Sequence, residues 1–105
     1  MSTLEKNIYY SNLFNFYKNL LTEKQQSIFY NYYYLDIGLT EISQELNISR
    51  QAVLDSLKKT EKLLNSYEEK LKLFKIYNRI ENLVNEIQLN KNFNKLNEIL
   101  KLWEE

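Results

Sequence analysis

The sequence predicts an all-α protein organised around a helix-turn-helix. Three observations carry this expectation. Among 105 residues there is no proline and one glycine, the residues on which turns and strand punctuation depend. Apolar residues recur at helical spacing along most of the chain. Ser and Thr stand where helices would begin.

The elements follow in order. A first helix is expected from Thr3 to about Leu20, with Leu4, Ile8, Leu13, Phe16, Tyr17 and Leu20 as one broad apolar stripe. Thr22 reads as an N-cap, and Gln25 three residues on completes a capping box. The second helix then runs to about Tyr34 and buries Ile28 and Phe29. Asp36-Ile37-Gly38 reads as a loop, with Gly38 in a left-handed conformation and Thr40 as the next cap. A short helix over 40–46 carries Ile42 and Leu46, Asn47 tolerates positive φ, and Ser49 caps a fourth helix from Arg50. Ser66 and Glu69 suggest another capping box, so a break is expected near Asn65-Ser66. A fifth helix over 67–89 would use Leu71, Phe74, Ile80, Leu83, Val84 and Ile87. After a turn at 90–92, a sixth helix over 93–104 would align Phe93, Leu96, Leu100 and Trp103. The expected organisation is a helical domain over 1–64, followed by an amphipathic extension over 65–105 packed with it as one unit.

Composition narrows the chemistry. The absence of Cys and His removes thiol chemistry, zinc fingers and imidazole general-base catalysis. Carboxylate-only metal sites remain open, but no calcium-loop pattern supports one. The expectation is a protein without catalysis or cofactor. Fourteen basic residues balance fourteen acidic ones, which argues against strong nonspecific affinity for nucleic acid. No apolar run approaches a membrane span. The N-terminal MSTLEKNIYY lacks the apolar stretch of a signal peptide. A cytoplasmic protein that does not insert into membranes is expected.

The informative segment is LTEISQELNISRQAVLDSLKKTEKLL, residues 39–64. A helix-turn-helix needs an apolar pair on its first helix, a tight turn with an apolar plug, and an apolar face on the second helix. Ile42 and Leu46 form the pair, Asn47 stands at the turn, Ile48 is the plug and Val53 begins the buried face, all within about 40–58. Ser43 replaces the usual small Ala. Ser56 stands where an apolar residue is common, with Leu57 four residues after Val53 restoring the face.

Further runs carry a family resemblance. Phe14-Asn15-Phe16-Tyr17, Leu21-Thr22-Glu23-Lys24-Gln25-Gln26, Tyr32-Tyr33-Tyr34-Leu35-Asp36 and Ser49-Arg50-Gln51-Ala52-Val53 resemble the YlxM family of small bacterial proteins. So do Thr60-Glu61 and Tyr67-Glu68-Glu69-Lys70-Leu71, bringing the match to roughly residues 10–75. The resemblance implies a domain similar to region 4 of sigma-70-type factors and a DNA-binding regulatory role. It also implies a link, by gene neighbourhood, to the signal recognition particle pathway, with the particle's GTPase or its RNA as candidate partners.

For duplex DNA, the start of the second motif helix would enter the major groove. Ser49, Arg50 and Gln51 stand there; Arg pairs bidentately with guanine and Gln with adenine. Leu54 and Asp55 would share that face, while Lys58, Lys59 and Lys62 would meet phosphates. Asp55 opposes DNA contact, and Arg50 has an alternative partner in Glu45. Tyr30, Tyr32, Tyr33 and Tyr34 either stack on RNA bases or, the favoured expectation, pack the second helix against the first and fourth with hydroxyls reaching water. The alternative to a DNA regulator is an adaptor that binds protein or RNA of the particle. A homodimer is expected through Phe74, Leu83, Ile87, Phe93, Leu96, Leu100 and Trp103, because a contiguous apolar surface is rarely left in water. The competing account is a monomer whose last helix folds back over that surface.

Overall fold

The computed structural model describes residues 2–90 and 95–103. Among them are six α-helices, one 3₁₀ turn and no strand: α1 Thr3–Tyr17, the 3₁₀ turn Lys18–Leu20, α2 Glu23–Tyr33, α3 Leu39–Leu46, α4 Arg50–Leu71, α5 Leu73–Asn90 and α6 Lys95–Lys101. The chain divides into two compact units, Met1–Lys70 and Leu71–Glu105.

In the N-terminal unit the predicted caps at Thr22 and Ser49 are in place. The Thr22 hydroxyl accepts from the Gln25 amide at 3.1 Å, and the Gln25 side chain accepts from the Thr22 amide at 3.0 Å. Two of α2's free donors are thereby satisfied reciprocally. The first helix begins instead on Ser2, whose hydroxyl accepts from the Glu5 amide.

The apolar stripe expected on α1 is only half correct. Leu13, Phe14 and Tyr17 are buried, whereas Leu4, Ile8 and Leu20 are more than half exposed. From Ile8 to Leu13 is five residues. At about 100° per residue, that turns Leu4 and Ile8 to the side of the helix away from Leu13 and Tyr17.

The loop after α2 is also built differently. Gly38 has φ −69° and ψ 157° and is itself the N-cap of α3, so Thr40 lies inside the helix. The left-handed residue is Asp36, with φ 55°. A short polar side chain tolerates that conformation, and the reversal is complete before the glycine is reached.

The core of this unit joins α1, α2, α3 and α4. Phe29 is fully buried, stacked on Phe14 at 5.0 Å and on Tyr33 at 4.3 Å between ring centroids. Ile28, Ile42, Val53 and Leu64 are likewise fully buried. The expected break at Asn65-Ser66 does not occur: α4 is continuous from Arg50 to Leu71. Its buried positions Val53, Leu57, Thr60 and Leu64 repeat at intervals of four, three and four residues. Tyr67 continues that face straight through Ser66. The helix ends only at Lys72, which has φ 56°.

A polar seam runs beside this apolar stripe. Tyr17 Oη donates to Glu68 at 2.6 Å, and Tyr33 Oη donates to Glu61. Asn65 donates to Tyr10 Oη at 2.9 Å and accepts from Tyr9 Oη at 3.2 Å. Glu61, Asn65 and Glu68 are spaced i, i+4, i+7, so they share one face of α4. Tyrosine hydroxyls thus tie α1 and α2 to α4, and among them Tyr33, expected to reach water, is held by Glu61 instead. Tyr34 likewise lies 2.9 Å from the Ser11 carbonyl and 2.8 Å from Asn15 Oδ1.

The Tyr33 pairing makes stability sensitive to alkali. Burial, reinforced by the hydrogen bond to Glu61 and that residue's charge, pushes the Tyr33 hydroxyl far above its ordinary 10.0. The unfolded chain releases this proton near pH 10 while the folded chain keeps it. The contribution is thus complete below pH 10 and is lost as pH rises from there. Urea unfolding at pH 8, 10 and 11 should show a decline above pH 10, a small one from this group because it is only half-buried and solvent screens its partners. Tyr33→Phe should make that decline shallower.

In the C-terminal unit α5 packs on α6. Leu83 is fully buried, and Phe74, Ile76, Ile80 and Ile87 are half-buried. The fifth helix starts six residues later than expected, because Leu71 still belongs to α4 and Lys72 breaks the helical path.

Candidate nucleic-acid interface

The motif is assembled from α3, a tight turn and the start of α4. α3 closes with Asn47 in the left-handed region, φ 56° and ψ 43°. The Ile48 amide donates to the Ser43 carbonyl at 3.0 Å and the Asn47 amide to the Gln44 carbonyl at 3.3 Å. These two bonds satisfy carbonyls that the helix end leaves free, the pattern of a Schellman turn. Asn serves here because its side chain tolerates positive φ better than most. Ser43 is buried, its hydroxyl donating to the Thr40 carbonyl at 2.6 Å. The small residue thus fits under the turn without an unpaired oxygen. Ile48 is half-buried.

Ser49 starts the second motif helix as expected. Its hydroxyl accepts from the Ala52 amide at 3.0 Å and its carbonyl from the Val53 amide at 3.2 Å. Ser49 is therefore a cap first, with its hydroxyl already engaged. Arg50 and Gln51 follow at once, and both are exposed. Among the described residues no ion pair joins Arg50 to Glu45. Leu54 is half-buried, and Asp55, Lys58, Lys59 and Lys62 are exposed. At 3.6 residues per turn, Gln51, Asp55, Lys58 and Lys62 form one line on the side of α4 away from Val53, Leu57 and Leu64. Of the sequence-predicted residues, Gln51, Asp55, Lys58 and Lys62 thus share one outward line; Arg50 is exposed at the helix start about 100° around from it, and Leu54 is half-buried.

Two features of that surface were not visible in the spacing. Gln51 Nε2 donates to Asp55 Oδ1 at 2.8 Å, an i, i+4 pair. The amide and carboxylate are presented jointly, and a bidentate contact by Gln51 requires this bond to open. Glu61 is turned inward to Tyr33 and to Lys6, 3.9 Å away, with 19% of its side chain exposed. Of the four acidic residues between 40 and 62, Glu41, Glu45 and Asp55 remain outward, against the cations Arg50, Lys58, Lys59 and Lys62. The sequence signal for Glu61 was its spacing to Asn65 and Glu68 opposite a tyrosine-rich helix.

The family described as "UPF0122: Putative helix-turn-helix protein, YlxM / p13 like" matches residues 4–103. The chain belongs to this family. It is 54% identical over 74 residues to a UPF0122 protein of Lactococcus lactis subsp. cremoris, covering 70% of this chain and 67% of that one. To a UPF0122 protein of Bacillus licheniformis it is 53% identical over 73 residues, 70% and 68% of the two chains. To one of Bacillus pumilus it is 46% identical over 86 residues, 82% and 78%. The helix-turn-helix in this UPF0122 chain is α3, the Asn47-Ile48-Ser49 turn and the first half of α4. Among the described residues no helix is long and apolar enough to cross a membrane, and no cluster of acidic residues is placed to hold a metal ion.

The residues expected at a dimer interface are distributed unevenly. Leu83 is fully buried within the chain, leaving nothing for a partner to cover. Phe74 and Ile87 are half-buried, and Phe93 lies outside the described residues. Leu96, Leu100 and Trp103 are 48%, 65% and 66% exposed.

Proposed function

We propose that this protein is a non-catalytic, DNA-binding regulator that reads the major groove through the start of α4. The observation that carries this reading is the capped turn at Ser49, from which Arg50 and Gln51 project directly into solvent. In helix-turn-helix proteins that end of the recognition helix meets base edges. Lys58, Lys59 and Lys62 follow on the outward surface, where they would meet phosphates. The test is selection of a duplex from a random-sequence pool, followed by titration of the full chain. Arg50→Ala should weaken binding to the selected duplex by about 1–3 kcal/mol. Salt dependence should be shallow, since few phosphates can be neutralised. No enrichment and no duplex binding at low salt would overturn the reading.

One observation favours a second reading. Asp55 sits in the middle of the proposed surface, and three outward carboxylates face four cations. A surface so balanced suits an adaptor that binds protein or RNA, with the GTPase and RNA of the signal recognition particle as candidates. Parallel titration with those two components separates the readings.

We also propose that two copies pair through the C-terminal unit. Leu96 and Leu100 stand at i and i+4 on one face of α6, and Trp103 follows in the turn after it; all three are large, apolar and exposed. A second copy presents the same self-complementary face, as two-fold pairing requires. It would also supply the second recognition helix that palindromic sites use. Light scattering at micromolar concentration should give about twice the chain mass of 12.8 kDa. The double change Leu100→Ala with Trp103→Ala should return the chain to a single copy without loss of helix. A single-copy mass for the unaltered chain refutes the pairing.

A further inference from the structure

The C-terminal unit contains a groove of about 440 Å³ lined by Lys72, Lys75, Asn78, Arg79, Asn82, Ile76 and Leu102. Its volume falls within the roughly 300–1,000 Å³ of small-molecule sites. Lys75, Arg79 and Asn82 are spaced i, i+4 and i+7, so they form one line along α5. Lys72 stands just before the helix, at the break where φ is 56°, so three cations border the same groove. No acidic residue stands in the first turn of α5, and the positive end of its dipole adds to the same potential. Ile76 and Leu102 supply an apolar wall, and the Asn78 and Asn82 amides offer both donors and acceptors.

We propose that this groove binds a nucleoside di- or triphosphate. The cations would hold the phosphates, the wall would take one face of the base, and the asparagine amides would meet the sugar or base edge. Arg79 already gives one Nη to Glu98 at 3.2 Å. Its guanidinium carries further donors in the same plane, and the Glu98 contact fixes the direction in which they point. A strand of nucleic acid fits less well. A groove that tracks a strand carries cations along its length, whereas here the line passes from Arg79 to Asn82 and then to Glu86, which pairs with Lys95 at 3.5 Å. None of the groove's residues belongs to the proposed reading surface, so its test needs no duplex DNA.

The test titrates the full chain with ATP, GTP, adenosine, inorganic pyrophosphate and a single-stranded oligonucleotide. Heat of binding and the fluorescence of Trp103, the chain's one tryptophan and the neighbour of Leu102, give two readouts. The expected result is that a nucleotide binds at least about tenfold tighter than either adenosine or pyrophosphate. Lys72→Ala combined with Lys75→Ala should weaken it by about tenfold or more, with the circular dichroism spectrum unchanged because both positions are exposed. Asn82→Leu should weaken the nucleotide and leave pyrophosphate unaffected. Pyrophosphate binding as tightly as nucleotide would overturn the proposal in favour of a bare anion patch. Oligonucleotide affinity that exceeds the nucleotide's and grows with length would overturn it in favour of a strand-binding surface. No binding at about millimolar ligand, or variants that bind as the parent does, would overturn it outright.

Discussion

Replacing Phe29 by Ala should cost about 3–5 kcal/mol, the largest loss expected from any truncation in the N-terminal unit. Phe29 is completely buried, and its ring is held between Phe14 and Tyr33 at 5.0 and 4.3 Å. Both neighbours have further attachments: Phe14 meets the Tyr34 ring at 5.8 Å, and Tyr33 hydrogen-bonds Glu61. They cannot collapse into the space left behind without giving up those contacts, so the cavity persists. Total stability for a domain of this size is of order 5–15 kcal/mol, and a loss this large brings much of the population near unfolding. The contrast is Tyr30→Ala on the same helix, at a position 45% exposed, where a loss below about 1 kcal/mol is expected. Urea unfolding followed by circular dichroism measures both. A small loss at Phe29 would show that the aromatic stack is not the core.

The second large effect is expected at Val53. This residue is 0% exposed in the first turn of α4, directly beneath the proposed reading surface. Val53→Asp buries a carboxylate among apolar side chains with no partner, a change of several kcal/mol. The N-terminal unit should unfold at neutral pH and regain helix as the carboxyl is protonated in acid. Leu54→Asp is the informative neighbour. Leu54 is half-buried at the edge of the outward surface, so the fold should survive while duplex binding weakens by repulsion from phosphate. If both variants behave alike, the assignment of inward and outward faces on α4 is wrong. Thermal unfolding and duplex titration of each variant decide the matter.

The elements that sequence reading placed well are those defined by local chemistry. Thr22 with Gln25, Asn47 and Ser49 mark helix ends through hydrogen bonds spanning three to five residues, so neighbours in sequence suffice to predict them. The outward line of Gln51, Asp55, Lys58 and Lys62 follows from the buried period of Val53 and Leu57. The failures share a different cause. Ser66 and Glu69 are as good a cap locally as Thr22 and Gln25, but Leu64, Tyr67 and Glu68 find partners only while α4 remains unbroken. That outcome depends on α1, more than forty residues earlier in the chain. Leu4 and Ile8 read as part of one broad apolar stripe, although the five-residue step to Leu13 places them out of phase. Gly38 attracted the left-handed conformation by its identity, and Asp36 adopted it because the chain reverses sooner. The tyrosine hydroxyls were least legible. Their partners Glu61, Asn65 and Glu68 declare an i, i+4, i+7 line, but nothing local says that the line faces tyrosines rather than water.

That polar seam has a consequence for recognition. α4 is a single rod whose first turn carries the proposed reading surface and whose second half is fastened at Glu61, Asn65 and Glu68 to two other helices. Three fastenings spread over two turns fix both the azimuth of the rod and its position along its own axis. Rolling Arg50 and Gln51 to follow a displaced base would break charge-assisted hydrogen bonds some fifteen residues away. The start of α4 is therefore held in one orientation. If it reads duplex DNA as proposed, a target that does not fit would itself have to deform, and discrimination would extend to the stiffness of the duplex as well as to its base edges.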